Sequence, residues 1–266
     1  MGTAALMALV YTILSIDPAG SRTIRTPISI FSCMALSAGF LLFEGRSKAP
    51  FLPKDMWHSP PLPACAAIIA LSSAASYASV FASFFMRDVM GCRPITVGLA
   101  FLPSSIGTAA VSLVLTEKLT TRFGIKNSLL LSLATSFVGL LLLADVRARG
   151  NLVTDVVPAI ALLGIGCGSA YNQTLLAATN KAAAIGPGFA SALIGSSAVV
   201  GGTLGLAVFG TVSAMYRNSV ATTDAPIIAA VMAEYRVVFL VAAAAVILAM
   251  VVAATSLRSS SPATND

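Results

Sequence analysis

Charge is what this chain has least of. Only 10% of its 266 residues are Asp, Glu, Lys or Arg, against about 25% in an average soluble domain. It therefore lacks the polar groups needed to cover a water-facing surface. Histidine occurs once, as His58 in the segment KDMWHSPP, with no nucleophile or metal-binding neighbour arranged around it. The four cysteines, Cys33, Cys65, Cys92 and Cys167, are scattered without a CxxC pair, so disulfide or metal chemistry has no support. They read as small apolar fillers. Paired carboxylates within the apolar blocks, a Gly-rich phosphate loop and a nucleophile elbow are all missing. Neither an enzyme nor a cofactor is expected.

The net charge of +6 does not form a basic stripe. Its Lys and Arg residues sit singly or in pairs between apolar blocks, where charges flank membrane spans, and this excludes nucleic acid as a partner. What the chain does have is length of apolar sequence. Hydrophobic residues make up 57% and mean hydropathy is +0.91. They come in blocks long enough to cross roughly 30 Å of hydrocarbon. The solvent is a bilayer.

Eight candidate spans follow, at 1–16, 27–43, 63–86, 95–115, 128–144, 156–178, 188–212 and 237–255. Each is bounded by short connections carrying Pro, Gly, Asn or charge. Charged side chains are almost absent inside them, as required when one at the bilayer centre costs about 2.5–3.5 kcal/mol. Arg87, Asp88 and Glu117 fall at span ends. The first block begins at Met1 with no basic flank and no cleavage site, unlike a signal peptide. It is read as a helix whose upstream part is missing, a chain truncated at its start. Basic residues divide eight against eight between the two sides, so the positive-inside rule gives no orientation.

Two kinds of feature inside the spans point beyond membrane insertion. Gly164 and Gly168, and Gly201 and Gly205, have the small-xxx-small spacing that lets helix backbones approach closely, either for tight packing or for sliding and bending during transport. Pro103 removes a backbone bond within its span. The second feature is polar: Asn172 and Gln173 in AYNQTLLAAT, Ser196 and Ser197 in the next span, and Tyr77 with Phe81 on one helical face. A membrane-buried amide or hydroxyl faces protein or a wet cavity rather than lipid. These residues either pack helices together or line a substrate cavity.

The stretch VGLAFLPSSIGTAAVSLVLTEKLTTRFGIKNSLLLSLATSFVGLLLL resembles the second half of a major facilitator superfamily transporter. It is most similar to the fourteen-helix drug:proton antiporter branch. FLLFEGRSKAPFLPKDMW, DVVPAIALLGIGCGSAY and GFASALIGSSAVVGGTLGLAVFGTVSA fit the same order. The resemblance implies an all-α membrane protein whose eight spans correspond to helices seven to fourteen. Residues 1–60 would hold the central extra pair and a cytoplasmic loop, 61–258 the six-helix C-terminal bundle, and 259–266 a polar tail. It further implies cytoplasmic chain ends, a cytoplasmic basic loop with Arg122, Gly124 and Lys126, and a cavity faced by the first, second, fourth and fifth helices of the bundle. Thr121 stands where that loop usually has Asp, Glu117 where it has Gly, and Ala198–Val199 where the branch commonly has Arg-Gln.

The implied function is proton-coupled efflux of small hydrophobic or amphipathic compounds from the cell membrane. Because the first six helices of that architecture are absent from the sequence, the expectation is a half-transporter, inactive unless it self-associates or meets a partner half. The alternative is a membrane binding or assembly protein that transports nothing.

Overall fold

The computed structural model describes residues 61–112, 116–146, 150–181, 187–220 and 227–256. The two spans expected before residue 60, and the polar tail, lie outside these residues. In lipid every backbone N–H and C=O must be satisfied within the chain, and the described residues answer with helices alone. These are α1 (Pro61–Ser76), α2 (Ala78–Asp88), α3 (Pro94–Ala110), α4 (Thr116–Asp145), α5 (Val157–Lys181), α6 (Pro187–Val220) and α7 (Ile227–Ser256), with a π turn at Leu152–Val156 before α5. Five helical stretches are long and apolar enough to cross a membrane, α1 and α2 together forming one of them, and α3 is a shorter apolar helix.

Local chemistry sets the joints. Gly91, at φ 64°, turns the chain out of α2, a left-handed conformation that costs glycine nothing. Pro94 then opens α3, where its missing N–H is harmless. Asn151 caps the π turn by accepting from Val153 N–H at 3.0 Å, while Asp155 accepts from Asn151 N–H at 2.9 Å. The basic segment expected to be a loop is instead the first part of α4, broken at Gly124 (φ 77°, ψ 160°). The segment TEKLTTRF holds Glu, Lys, Leu and Arg, good helix formers that let it wind as helix. Arg122 lies over the Phe123 ring, and Lys126 Nζ donates to the Ala254 carbonyl at 2.7 Å. A cation thus neutralises the C-terminal end of α7.

α1 runs through the middle of the bundle against α5, α6 and α7, while α4 packs on α5 and α7, and α3 on α5. Phe81 meets Phe209 edge-on at 6.0 Å and Phe85 meets Tyr235 at 5.6 Å, joining α2 to α6 and α7. Apolar side chains point outward as well as inward: Ile95 is 73% and Ile106 66% exposed on α3, with Val199 and Met215 exposed on α6. In water such faces would be a defect; in lipid they are ordinary surface. This is a multi-pass membrane protein of the cell membrane.

The last helix differs from its expected limits. α7 starts at Ile227 rather than near residue 237, and so brings Glu234 inside the span Val231–Ser256. The reading that acids stay out of the spans is corrected here. Glu234 is 2% exposed and takes a hydrogen bond from Ser213 of α6. Beside it the Tyr235 hydroxyl donates to Asp88 at 2.9 Å. A paired carboxylate is tolerable where a lone one is not.

Candidate functional site

The α1–α2 span, Leu62–Asp88, is interrupted near its midpoint. Tyr77 N–H is shared between the Ser73 and Ala74 carbonyls at 3.3 and 3.2 Å, and Val80 N–H closes a tighter turn onto Tyr77 at 3.0 Å. No proline forces this. The run SSAASYAS holds four serines and a tyrosine, all weaker helix formers than alanine, and Ser72 bonds back to the Ile69 carbonyl. Broken helices at membrane mid-depth mark binding sites in many transporters.

Against the break lies a cleft of about 300 Å³ between α1–α2, α3 and α5. Ser72, Ser73, Ser76 and Ser79 line one wall, Ser104 of α3 a second, and Tyr171 of α5 a third. Serine is ordinarily harmless in a membrane helix because its hydroxyl bonds back to its own backbone. Ser72, Ser83, Ser105, Ser169 and Thr174 all do so, at 2.6–3.3 Å. Among the described residues, the hydroxyls of Ser73, Ser76, Ser79 and Ser104 make no such bond. All four residues border the cleft. The signal for this face was present as serines at i, i+1, i+4 and i+7 within an apolar block; sequence reasoning passed over them in favour of larger side chains.

The residues singled out from sequence are not gathered in one place. Tyr77 stands at the break, 37% exposed, with its ring on Gly202 of α6. Phe81 is buried in the aromatic contact with Phe209. Asn172 donates to Ser112, just beyond the end of α3, at 2.7 Å. Gln173 is fully buried, donating to Ser128 at 2.7 Å and accepting from Ser132 at 3.0 Å, both on α4. Ser196 and Ser197 bond back to the Leu193 carbonyl at 3.0 and 2.7 Å, and Ser196 is exposed. Pro103 is exposed on α3, where it withdraws the N–H that would bond the Leu99 carbonyl.

The glycines are close-contact points. A Cβ on Gly201 would collide with the Ala70 backbone, and one on Gly205 would lie 2.6 Å from Ala74 Cα, so α6 rests directly on α1. Gly164 and Gly168 receive Ser104 and Thr108 of α3 in the same way. These two glycines also border the cleft.

The mid-span helix break thus sits beside a cleft bordered by serines with hydrogen-bonding capacity to spare. The chain is similar to drug-resistance proteins, one of them named as an export protein. Over 216 residues it is 26% identical to the puromycin resistance protein pur8 of Streptomyces alboniger, covering 80% of this chain and 43% of that protein. Over 221 residues it is 28% identical to the multidrug resistance protein Stp of Mycobacterium tuberculosis, covering 81% and 40%. Over 212 residues it is 27% identical to the tetracenomycin C resistance and export protein of Streptomyces glaucescens, covering 79% and 39%. The chain spans about two-fifths of the length of these curated relatives. No family model matches it.

Proposed function

We propose that the bundle is one substrate-facing wall of a proton-coupled exporter for small hydrophobic or amphipathic compounds. The observation that carries this reading is the interruption of the α1–α2 span at Tyr77 against the serine-lined cleft. The similarity to resistance and export proteins supports it, as does the earlier resemblance to the C-terminal half of a facilitator. In such a protein the site lies between two helical bundles, and access alternates as one rocks against the other. The described helices supply one side. The other comes from helices beyond them, on the same polypeptide or on a partner, and would bring the proton-coupling carboxylates.

In this reading Tyr77, Asn172, Ser196 and Ser197 belong to the face that meets substrate as the two walls rock. Phe81 and Gln173 hold that face in shape. The smooth contacts at Gly164, Gly168, Gly201 and Gly205 let α3 and α6 shift against α5 and α1, with Pro103 easing the bend. The helical segment carrying Arg122, Gly124 and Lys126 faces the cytoplasm and hinges at Gly124.

Reconstituted alone in liposomes under a pH gradient, the chain should bind an amphipathic dye saturably without exchanging it for protons. Exchange should appear when a second six-helix half is added. Robust exchange by the chain alone would overturn the need for a second wall, and absence of saturable binding would overturn the exporter reading.

A further inference from the structure

We infer that the cleft at the α1–α2 break selects uncharged, oxygen-rich ring compounds, such as hydroxylated or carbonyl-bearing aromatics, over organic cations. This rests on the exporter reading and adds the chemistry of what is carried. Three observations lead to it.

The first is the charge of the lining. Its side chains are hydroxyls, a thiol, aromatic rings and aliphatics, with no Asp, Glu, Lys or Arg among them. Among the described residues, Asp88, Asp145 and Asp155 sit at or beyond helix ends, and buried Glu234, which takes a hydrogen bond from Ser213, does not line the cleft. A cation in this cleft would give up its hydration at mid-bilayer depth without a counter-charge on this wall. Cation–π attraction to the Phe101 and Tyr171 rings returns only part of that loss.

The second is the supply of hydrogen bonds. Ser73, Ser76, Ser79 and Ser104 make no side-chain bond among the described residues, so each can donate to an acceptor on a ligand. A bound molecule bearing several carbonyl, ether or phenolic oxygens satisfies several at once. A bare hydrocarbon satisfies none, and would enclose hydroxyls that had given up access to water.

The third is shape. Phe101 of α3 and Tyr171 of α5 both border the cleft, giving flat surfaces for an aromatic ring system. At about 300 Å³ the space is at the small end of the range for organic ligands.

The test uses the full chain in lipid nanodiscs, with empty nanodiscs subtracted, and three fluorescent probes on one ring framework. These are a neutral dihydroxyanthraquinone, the same quinone with a trimethylammonium arm, and anthracene. The quinone should bind saturably, the other two at least tenfold more weakly. The triple variant Ser73→Ala, Ser76→Ala, Ser79→Ala should lose at least tenfold in quinone affinity while its weak anthracene binding is unchanged. Ser104→Ala, on a different helix, should lose about threefold. Ser83→Ala and Ser105→Ala, whose hydroxyls bond back to their own helices, should bind as the parent does. Equal or tighter binding of the cationic probe, or full quinone affinity in the triple variant, would overturn the inference and leave the exporter reading standing. Failure of all three probes to bind would overturn both.

Discussion

Gln173 of α5 donates its side-chain amide to Ser128 of α4 at 2.7 Å and accepts from Ser132 at 3.0 Å. The side chain is fully buried, so the α4–α5 contact is closed by an amide with both ends engaged. Lipid tails are as apolar as leucine, and helices in a bilayer associate through packing and bonds of this kind.

Replacing Gln173 by Leu keeps the volume and removes both bonds. The single Ser132 proton, shared with the Ser128 carbonyl at 3.0 Å, can turn wholly to that carbonyl, which limits the damage. The expected loss is about 1–2 kcal/mol, and Gln173→Ala should lose about 1 kcal/mol more through the cavity it leaves. Unfolding in mixed detergent micelles reads both. A Gln173→Leu variant as stable as the parent would show that packing alone holds α4 to α5.

The glycines divide into two groups with opposite expectations. Gly201 and Gly205 are pressed on the α1 backbone, whereas a Cβ at Gly98 or Gly210 would meet nothing within 4 Å. Gly201→Val and Gly205→Val should therefore separate α6 from α1, costing about 1–3 kcal/mol each and lowering the yield of monodisperse protein. Gly98→Ala and Gly210→Ala should be neutral or gain up to about 1 kcal/mol from helix propensity. Size-exclusion profiles of the four variants side by side decide it; equal behaviour would contradict the packing described.

At the end of the bundle where α2 finishes, the Tyr235 hydroxyl donates to Asp88. Asp88 is exposed, so the bond is partly screened, and Tyr235→Phe should cost about 1 kcal/mol. The same variant keeps the ring contact with Phe85. Faster backbone amide exchange confined to the end of α2 and the start of α7 is the expected signature. Exchange rates unchanged there would show that the ring contact alone fixes these helix ends.

Lys126 places its ammonium on the Ala254 carbonyl near the C-terminal end of α7. Lys126→Gln should cost about 0.3–1 kcal/mol, and because the site is exposed the difference should shrink as salt rises. A loss independent of ionic strength would point to packing rather than charge.

The spans after residue 60 were legible in the sequence because apolar blocks bounded by polar joints have one solution in lipid. Their ends were not. α7 begins at Ile227 because Glu234 and Tyr235 find Ser213 and Asp88, and pairing over such distances along the chain leaves no local mark. The break in α4 at Gly124 was likewise hidden in what reads as a loop. The wall of the cleft was half legible. The serine spacing was there to be read and was passed over, and whether a serine bonds to its own helix or stays open depends on what packs opposite it. Gln173 shows the converse: a conspicuous buried amide whose partners, Ser128 and Ser132, looked unremarkable until the helices came together.

Cysteine accessibility tests most directly whether lipid surrounds this bundle and water enters the cleft. In a background with the native cysteines replaced, Ser76→Cys and Ser79→Cys, which line the cleft, should react with a charged methanethiosulfonate in nanodiscs. Leu240→Cys and Ile247→Cys, on the exposed apolar face of α7, should not. Rapid labelling at 240 and 247, or protection at 76 and 79 equal to theirs, would contradict the account.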